Sequence, residues 1–310
     1  MKLIEKLEDI EKPYSNAVIT IGNFDGVHIG HQALFHEVIE KADILGSTAL
    51  AMTFEPHPIR VLKNNGHPPL LTPLNQKIEL IAKTGIDALL CIPFTHEFAS
   101  ISAKEFVLDI LLGRIGIQVI VVGKDYTFGK NRQGNLNLLL SYAEAYDFEV
   151  DVVDWVPVSK YMPDRISSTR IRALLLDGNV QQAHKLLGRY YQVSGTVVPG
   201  RNRGGKLLGF PTANIQLTDE LCPKSGIYAV SVDCLGKRHR GVANIGYSPT
   251  FADQEFTIEV HILDFNTELY GKPITIKFIE RIRNEIKFAG ISELSQQIAR
   301  DVEAARVILN

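Results

Sequence analysis

Along the first half of the chain, short apolar runs alternate with segments patterned at helical spacing. The runs Val18–Ile21, Thr48–Phe54, Ala88–Ile92, Gln118–Val122 and Phe148–Val153 have the length of buried strands. Between the first two, Leu34, Phe35, Val38, Ile39 and Ala42 share one helical face, while Glu37, Glu40 and Lys41 point away. Thr72-Pro73 reads as an N-cap followed by proline at the first helical position, and Gly85 closes that helix. Ser102 and Glu105 form a capping box ahead of Phe106 and Val107. Five strands alternating with helices predict an open parallel sheet covered on both faces. Ligands of such sheets bind at the carboxyl ends of the strands, where the chain order reverses.

After about residue 188 the period shortens to two. Gln192–Val198, Phe210–Ile215, Ile227–Asp233, Arg238–Asn244, Thr257–Leu263 and Ile274–Ile279 read as short strands. Leu235-Gly236-Lys237 supplies a hairpin turn between two of them. A last helix, from Ser292 to about Leu309, carries Leu294, Ile298 and Val302 on one face. Six strands and a closing helix predict a small antiparallel barrel. The join falls near Gly188, after a short helix begun at Asn179, with no internal repeat and no low-complexity linker. The 310 residues therefore read as two domains, 1–185 and 186–310.

Composition narrows the partners. Hydrophobic residues make up 45% of the chain and the formal net charge is −2, which gives no electrostatic footprint for nucleic acid. Cys91, Cys222 and Cys234 form no C-x-x-C pair, which fits a reducing compartment and argues against a disulfide framework or a zinc site. Met1–Lys12 alternates charge and lacks the apolar core of a signal peptide. No run approaches the ~18 apolar residues of a membrane span. The expectation is a cytoplasmic protein with neither nucleic acid nor membrane as partner.

Three segments of the first half carry candidate chemistry. Gly22 to His31, GNFDGVHIGH, sits between a strand and a helix. Such a turn gathers free backbone N–H groups at the positive end of a helix dipole, and both favour phosphate. Gly26 and Gly30 let the backbone bend and approach a ligand, and His28 and His31 can donate to charge building on a phosphoryl group. Arg165 to Arg172, RISSTRIR, combines hydroxyls that can cap a helix with guanidinium forks that match phosphate oxygens. An ordinary capped helix with surface arginines fits the same octapeptide. In Val122–Gly129, VGKDYTFG, Asp125 suits a ribose or an adenine amine, and Tyr126 and Phe128 suit a flat ring. A turn tucked onto the core fits that segment equally.

The second half has its own constellation. A glycine-rich loop leads into Phe210-Pro211-Thr212-Ala213-Asn214, and strand period turns Thr212 and Asn214 the same way. A hydroxyl and an amide oxygen together suit a hard cation such as Mg²⁺, although a polar edge strand has the same pattern. Glu259 sits in the alternating strand, where a carboxylate in reach of a primary hydroxyl accepts its proton.

Through GNFDGVHIGH, FEPHP at Phe54–Pro58, VGKDYTFG and RISSTRIR, residues 1 to ~185 resemble the bacterial FAD synthetase module, a Rossmann-like nucleotidyltransferase. The resemblance implies that His28, His31, Ser168, Thr169 and Arg172 hold ATP phosphates. It puts Arg165 and Asp125 near the nucleotide, and Asn23 and Asp25 near the flavin phosphate or the metal. Through GGKLLGFPTANI, GIYAV, GVANIGYSPTF, IEVHILDF and LYGK, the remainder resembles bacterial riboflavin kinase. That implies Mg–ATP binding at Gly205, Lys206, Thr212 and Asn214, with Thr212 and Asn214 on the metal and Glu259 as general base. The implied substrates and products are riboflavin, FMN, FAD, ATP, ADP and pyrophosphate.

Overall fold

The computed structural model describes residues 1–63, 68–154, 156–159, 162–199, 210–217, 220–248 and 255–310. The chain divides into two compact units, Met1–Ser168 and Thr169–Asn310.

The first unit holds six parallel strands: β1 (Lys2–Ile4), β2 (Ala17–Ile21), β3 (Ala49–Glu55), β4 (Ala88–Pro93), β5 (Ile117–Gly123) and β6 (Glu149–Val153). Their order across the sheet is β1-β4-β3-β2-β5-β6. Five strands are those predicted. The sixth, β1, escapes the pattern because only Ile4 of its three residues is buried. The GNFDGVHIGH turn therefore follows the second strand in the chain, which is central in the sheet. From β2 the chain steps one way to β3 and β4, and β5 then returns to the other side of β2. The carboxyl ends of β2 and β5 thus flank the topological switch point, where open α/β sheets bind ligands.

Both sheet faces are covered, which explains the near-continuous apolar runs. On one face, helix α1 (Ile29–Leu45) buries Phe35, Val38 and Ala42 against Val18, Ala51, Val119 and Val121. On the other, Phe106, Val107, Ile110 and Leu111 cover Ile19, Leu50 and Ile120. Those covering residues lie on a π-helix, Phe106–Ile115, which continues a first turn closed by the predicted Ser102–Glu105 capping box. Truncating a ring such as Phe35 to alanine would cost about 3–5 kcal/mol.

One predicted cap is not formed. Helix α2 (Leu74–Ala82) starts one residue later than expected, with Pro73 at the cap and no side-chain bond there. The Thr72 hydroxyl is engaged elsewhere, with Gly26 and Asp25. Helix α3 (Leu136–Tyr146), capped by Asn135, leads into β6.

Helix α4 (Ser168–Leu176) spans the division, and α5 (Val180–Leu187) opens with the Asn179 side chain accepting from the Gln182 N–H. Six antiparallel strands then close a barrel: β7 (Tyr191–Val198), β8 (Ala213–Gln216), β9 (Gly226–Cys234), β10 (Lys237–Ser248), β11 (Glu255–Ile262) and β12 (Pro273–Arg283). Their circular order is β7-β8-β11-β10-β9-β12. Leu235 (φ 48°) and Gly236 (φ 73°) make the predicted hairpin turn, a two-residue loop that needs both left-handed conformations. Buried aromatic rings occupy the core, with Tyr228 edge-on to Phe278 at 5.3 Å and Tyr191 beside them. Helix α6 (Ile291–Ile308) packs Val302 and Ala305 on Ile227, Ala229 and Val242. Arg283 fastens it with two bonds to the buried Asp301 carboxylate, at 2.8 and 2.6 Å.

Candidate functional site

The turn after β2 is tightly wound. Phe24 (φ 46°) and Val27 (φ 39°) occupy the left-handed region that side chains avoid, and Gly26 lies at φ 91°. Such conformations persist only where surrounding structure over-determines them. The winding brings His28 to the N-cap of α1, where its Nδ1 accepts the His31 N–H at 3.2 Å. A neutral imidazole whose Nδ1 accepts must carry its proton on Nε2, so His28 presents a donor. The two imidazoles stack, centroids 3.5 Å apart and 18° from parallel, and Phe24 meets His31 edge-on at 5.3 Å. A Cβ on Gly30 would stand 3.2 Å from His28 Nδ1, so glycine lets the ring lie over the helix end. His28 is 5% exposed, and its orientation is set by packing.

The neighbouring residues divide into inward and outward groups. The Asp25 side chain is buried, and its carboxylate accepts from the Leu71 N–H, the Thr72 N–H and the Thr72 hydroxyl. The Asp25 backbone carbonyl accepts from the Ser168 hydroxyl at 2.8 Å, which brings the GNFDGVHIGH and RISSTRIR segments together. Asn23 is exposed, with its carbonyl accepting from the Thr53 hydroxyl. Asp125 and Arg165, from segments forty residues apart, form an ion pair with each other and both side chains are about half exposed. Tyr126 stacks on Phe128 at 5.5 Å, and burial pushes its phenol well above the usual tyrosine range. Thr169 is exposed in the first turn of α4, and Arg172 follows one turn later.

In the barrel, strand register assembles the site. Asn214 on β8 pairs with Glu259 on β11, which pairs with Asn244 on β10. The alternate residues Ile215, Ile258, Val260 and Ile245 are buried, so the three polar side chains stand on the opposite, outer face. Thr212 immediately precedes β8. His261 Nδ1 lies 2.8 Å from the Pro211 carbonyl, which ties that entry segment to β11. Gly205 and Lys206 lie outside the described residues. Asn244 was not singled out from the sequence, yet its Oδ1 is buried and meets no hydrogen-bond partner among the described residues. Its place beside Glu259 comes from the cross-strand register, which strand period does not supply.

Among the described residues, no three histidine, cysteine or acidic side chains gather to hold a metal ion. The barrel's oxygen donors instead suit a hard cation that keeps water and phosphate in its shell.

A donor-lined helix start at the switch point of a parallel sheet, together with a carboxylate flanked by amides on a barrel, defines an enzyme that handles phosphate esters in each of two domains. Comparison with known proteins makes the class specific. The FAD synthetase family matches residues 10–170, and the riboflavin kinase family matches residues 187–309. The bifunctional riboflavin kinase/FMN adenylyltransferase of Escherichia coli K12 is 39% identical, covering 99% of this chain and 97% of that protein. The protein of that description from Listeria monocytogenes is 41% identical over 94% of this chain and 92% of its own length. This chain belongs to the family of bifunctional riboflavin kinase/FMN adenylyltransferases.

A crystal structure from Streptococcus pneumoniae, described as a macrolide-efflux protein, shares the whole architecture, with a TM-score of 0.88, 34% identity and 98% of each chain covered. Among the described residues, no helix is long and apolar enough to cross a membrane. A shared fold carries no activity with it.

Proposed function

We propose that the two activities rest on two residue sets, one on each side of a functional boundary at 185/186. The C-terminal domain phosphorylates riboflavin to FMN with ATP, and the N-terminal domain adenylylates FMN to FAD with release of pyrophosphate. In adenylylation, an FMN phosphate oxygen bonds to the α-phosphorus of ATP as the bond to the pyrophosphate oxygen breaks. The nucleophile is already an anion, so the residues have charge to stabilise and no proton to remove. His28, through Nε2–H, and His31 donate to the ATP phosphates. The Thr169 hydroxyl, the Arg172 guanidinium and the Ser168 N–H at the start of α4 complete the cradle. Asn23 lies by the flavin phosphate, and Asp125 and Arg165 by the nucleoside. The observation that carries this reading is the His31 N–H bond to His28 Nδ1, which fixes the other imidazole nitrogen as a donor beside a helix N-terminus.

In the barrel, Glu259 takes the proton of the ribityl 5′-hydroxyl, whose oxygen bonds to the γ-phosphorus as ADP departs. Thr212 and Asn214 would supply oxygen ligands to the Mg²⁺ that enters with ATP, and Gly205 and Lys206, outside the described residues, are assigned to ATP binding. When bound, the metal neutralises charge on the transferred phosphoryl group. The free cysteines Cys91, Cys222 and Cys234 support the cytoplasm as the compartment.

The test incubates the full chain with riboflavin, ATP and Mg²⁺ and resolves FMN from FAD by chromatography. His28→Ala should stall at FMN. Glu259→Ala should make no FMN yet convert supplied FMN to FAD. Equal loss of both steps in either variant overturns the assignment.

A further inference from the structure

Asp25 stands in the middle of the phosphate-binding turn, yet its carboxylate is 2% exposed and faces the protein. Oδ1 accepts the Leu71 N–H and the Thr72 N–H, both at 3.0 Å, and the Thr72 hydroxyl at 3.2 Å. The Thr72 hydroxyl oxygen in turn accepts the Gly26 N–H at 2.9 Å. These bonds join segments forty-six residues apart. Leu71 and Thr72 end the connection that leaves the carboxyl edge of the sheet after β3. The Asp25 carbonyl meanwhile holds the Ser168 hydroxyl at the start of α4. One residue thus ties two of the segments that carry the family resemblance, GNFDGVHIGH and RISSTRIR, to the Leu71–Thr72 stretch ahead of α2.

Lys77, one turn into α2, is 1% exposed. Burial pushes its ammonium pKa down, and the Asp25 and Glu55 carboxylates oppose that shift. Lys77 is thus a buried amine on the helix that follows Thr72, with the Asp25 and Glu55 carboxylates in its electrostatic surroundings. The connection is also marked by what it forgoes. Thr72 stands where the sequence predicts a helix cap, and α2 starts without a side-chain cap.

We propose that Thr72 and Lys77 are positioning residues for FMN adenylylation, acting through Asp25 to hold the phosphate turn, the connection after β3 and the start of α4 in one fixed arrangement. Asp25 then serves as the hub of the site and touches neither substrate. Adenylyl transfer to a ready-made nucleophile depends mainly on placement, so loosening the hub lowers turnover more than it weakens binding. This rests on the N-terminal domain being the adenylylating one.

The test uses the full-length chain with Thr72→Val, Thr72→Ser and Lys77→Met. Each is assayed for the kcat and KM of FMN adenylylation and for riboflavin phosphorylation. Thr72→Val keeps the shape and removes the hydroxyl. It should lower adenylylation kcat roughly tenfold to hundredfold, with the KM for ATP within about twofold and phosphorylation unchanged. Thr72→Ser restores the hydroxyl and should return kcat to within about threefold of the parent. Lys77→Met, which keeps the apolar stem, should lower adenylylation kcat with the same selectivity and carries the test if Thr72→Val does not fold. Parental kcat in Thr72→Val and Lys77→Met overturns the proposal, as does Thr72→Ser being as damaged as Thr72→Val. A parent chain that makes FMN but no FAD overturns instead the reading on which the proposal rests.

Discussion

The two halves of this chain solve the same problem, gripping a polyphosphate beside a flavin, by different means. The N-terminal site is assembled from loops at the carboxyl edge of a parallel sheet. Its parts lie far apart in sequence and are joined by side-chain hydrogen bonds, such as Thr72 to Asp25 and Ser168 to Asp25. The barrel site is assembled by a strand ladder. Asn214, Glu259 and Asn244 are neighbours because three backbones pair in register, whatever their side chains do. Side-chain bonds therefore join the parts of the first site, whereas backbone pairing joins those of the second. Substitutions should separate activity from stability in opposite ways in the two halves.

Glu259→Gln is expected to give the largest effect. The amide cannot accept the hydroxyl proton, and the register that places it is unchanged. Riboflavin phosphorylation should fall about 10³-fold, within the range for removal of a general base. Conversion of supplied FMN to FAD should persist, and the unfolding midpoint should stay within a degree or two. A phosphorylation rate within tenfold of the parent would remove Glu259 from the chemistry.

Asp301→Asn comes next and bears on stability alone. The Arg283–Asp301 pair fastens α6 to β12, with the Asp301 side chain almost fully buried. Going around the barrel from Arg283, the register passes through Ile227 and Asn244 to Glu259. Breaking the pair leaves a partly buried guanidinium without its counter-charge, at a cost of about 3 kcal/mol. The ladder continues to hold Glu259, so kcat for phosphorylation at 25 °C should be unaffected while thermal unfolding moves several degrees lower. A parallel fall in kcat would mean that the α6 clamp, and not the ladder, positions the carboxylate.

The same contrast explains what could be read before the fold was known. Strand-and-helix alternation exposes both architectures, because most of the strands are several residues long and many are fully or alternately buried. It misses β1, whose three residues bury a single side chain. The His28–His31 pair and its helix are legible because their contacts are three residues apart. In the barrel, period two is enough to align Thr212 with Asn214. Pairing Asn214 with Glu259 and Asn244 needs a register that alternation does not supply. The inward turn of Asp25 is invisible for a different reason. Its partners are forty-six residues away, and an aspartate in a phosphate-binding turn looks outward by chemistry alone. The Thr72 hydroxyl donates to Asp25 and accepts from the Gly26 N–H, and α2 starts without a side-chain cap.

Ser168→Ala, the mildest change, tests the comparison from the N-terminal side. Alanine keeps the start of α4 and removes only the hydroxyl bond to the Asp25 carbonyl. The carbonyl oxygen can bond to water instead, so the stability cost should be about 1 kcal/mol or less. The consequence for placement is larger than the consequence for folding. Thr169 and Arg172 follow Ser168 on the same helix, and under the proposed assignment loosening that helix start would misplace them for the ATP phosphates. Adenylylation kcat should therefore fall about tenfold, with riboflavin phosphorylation intact, and Ser168→Thr, which keeps an oxygen at the same position, should recover most of it. Adenylylation that tracks the small stability loss and nothing more would place Ser168 among ordinary helix-start residues. The N-terminal site would then be held, like the barrel, by its backbone.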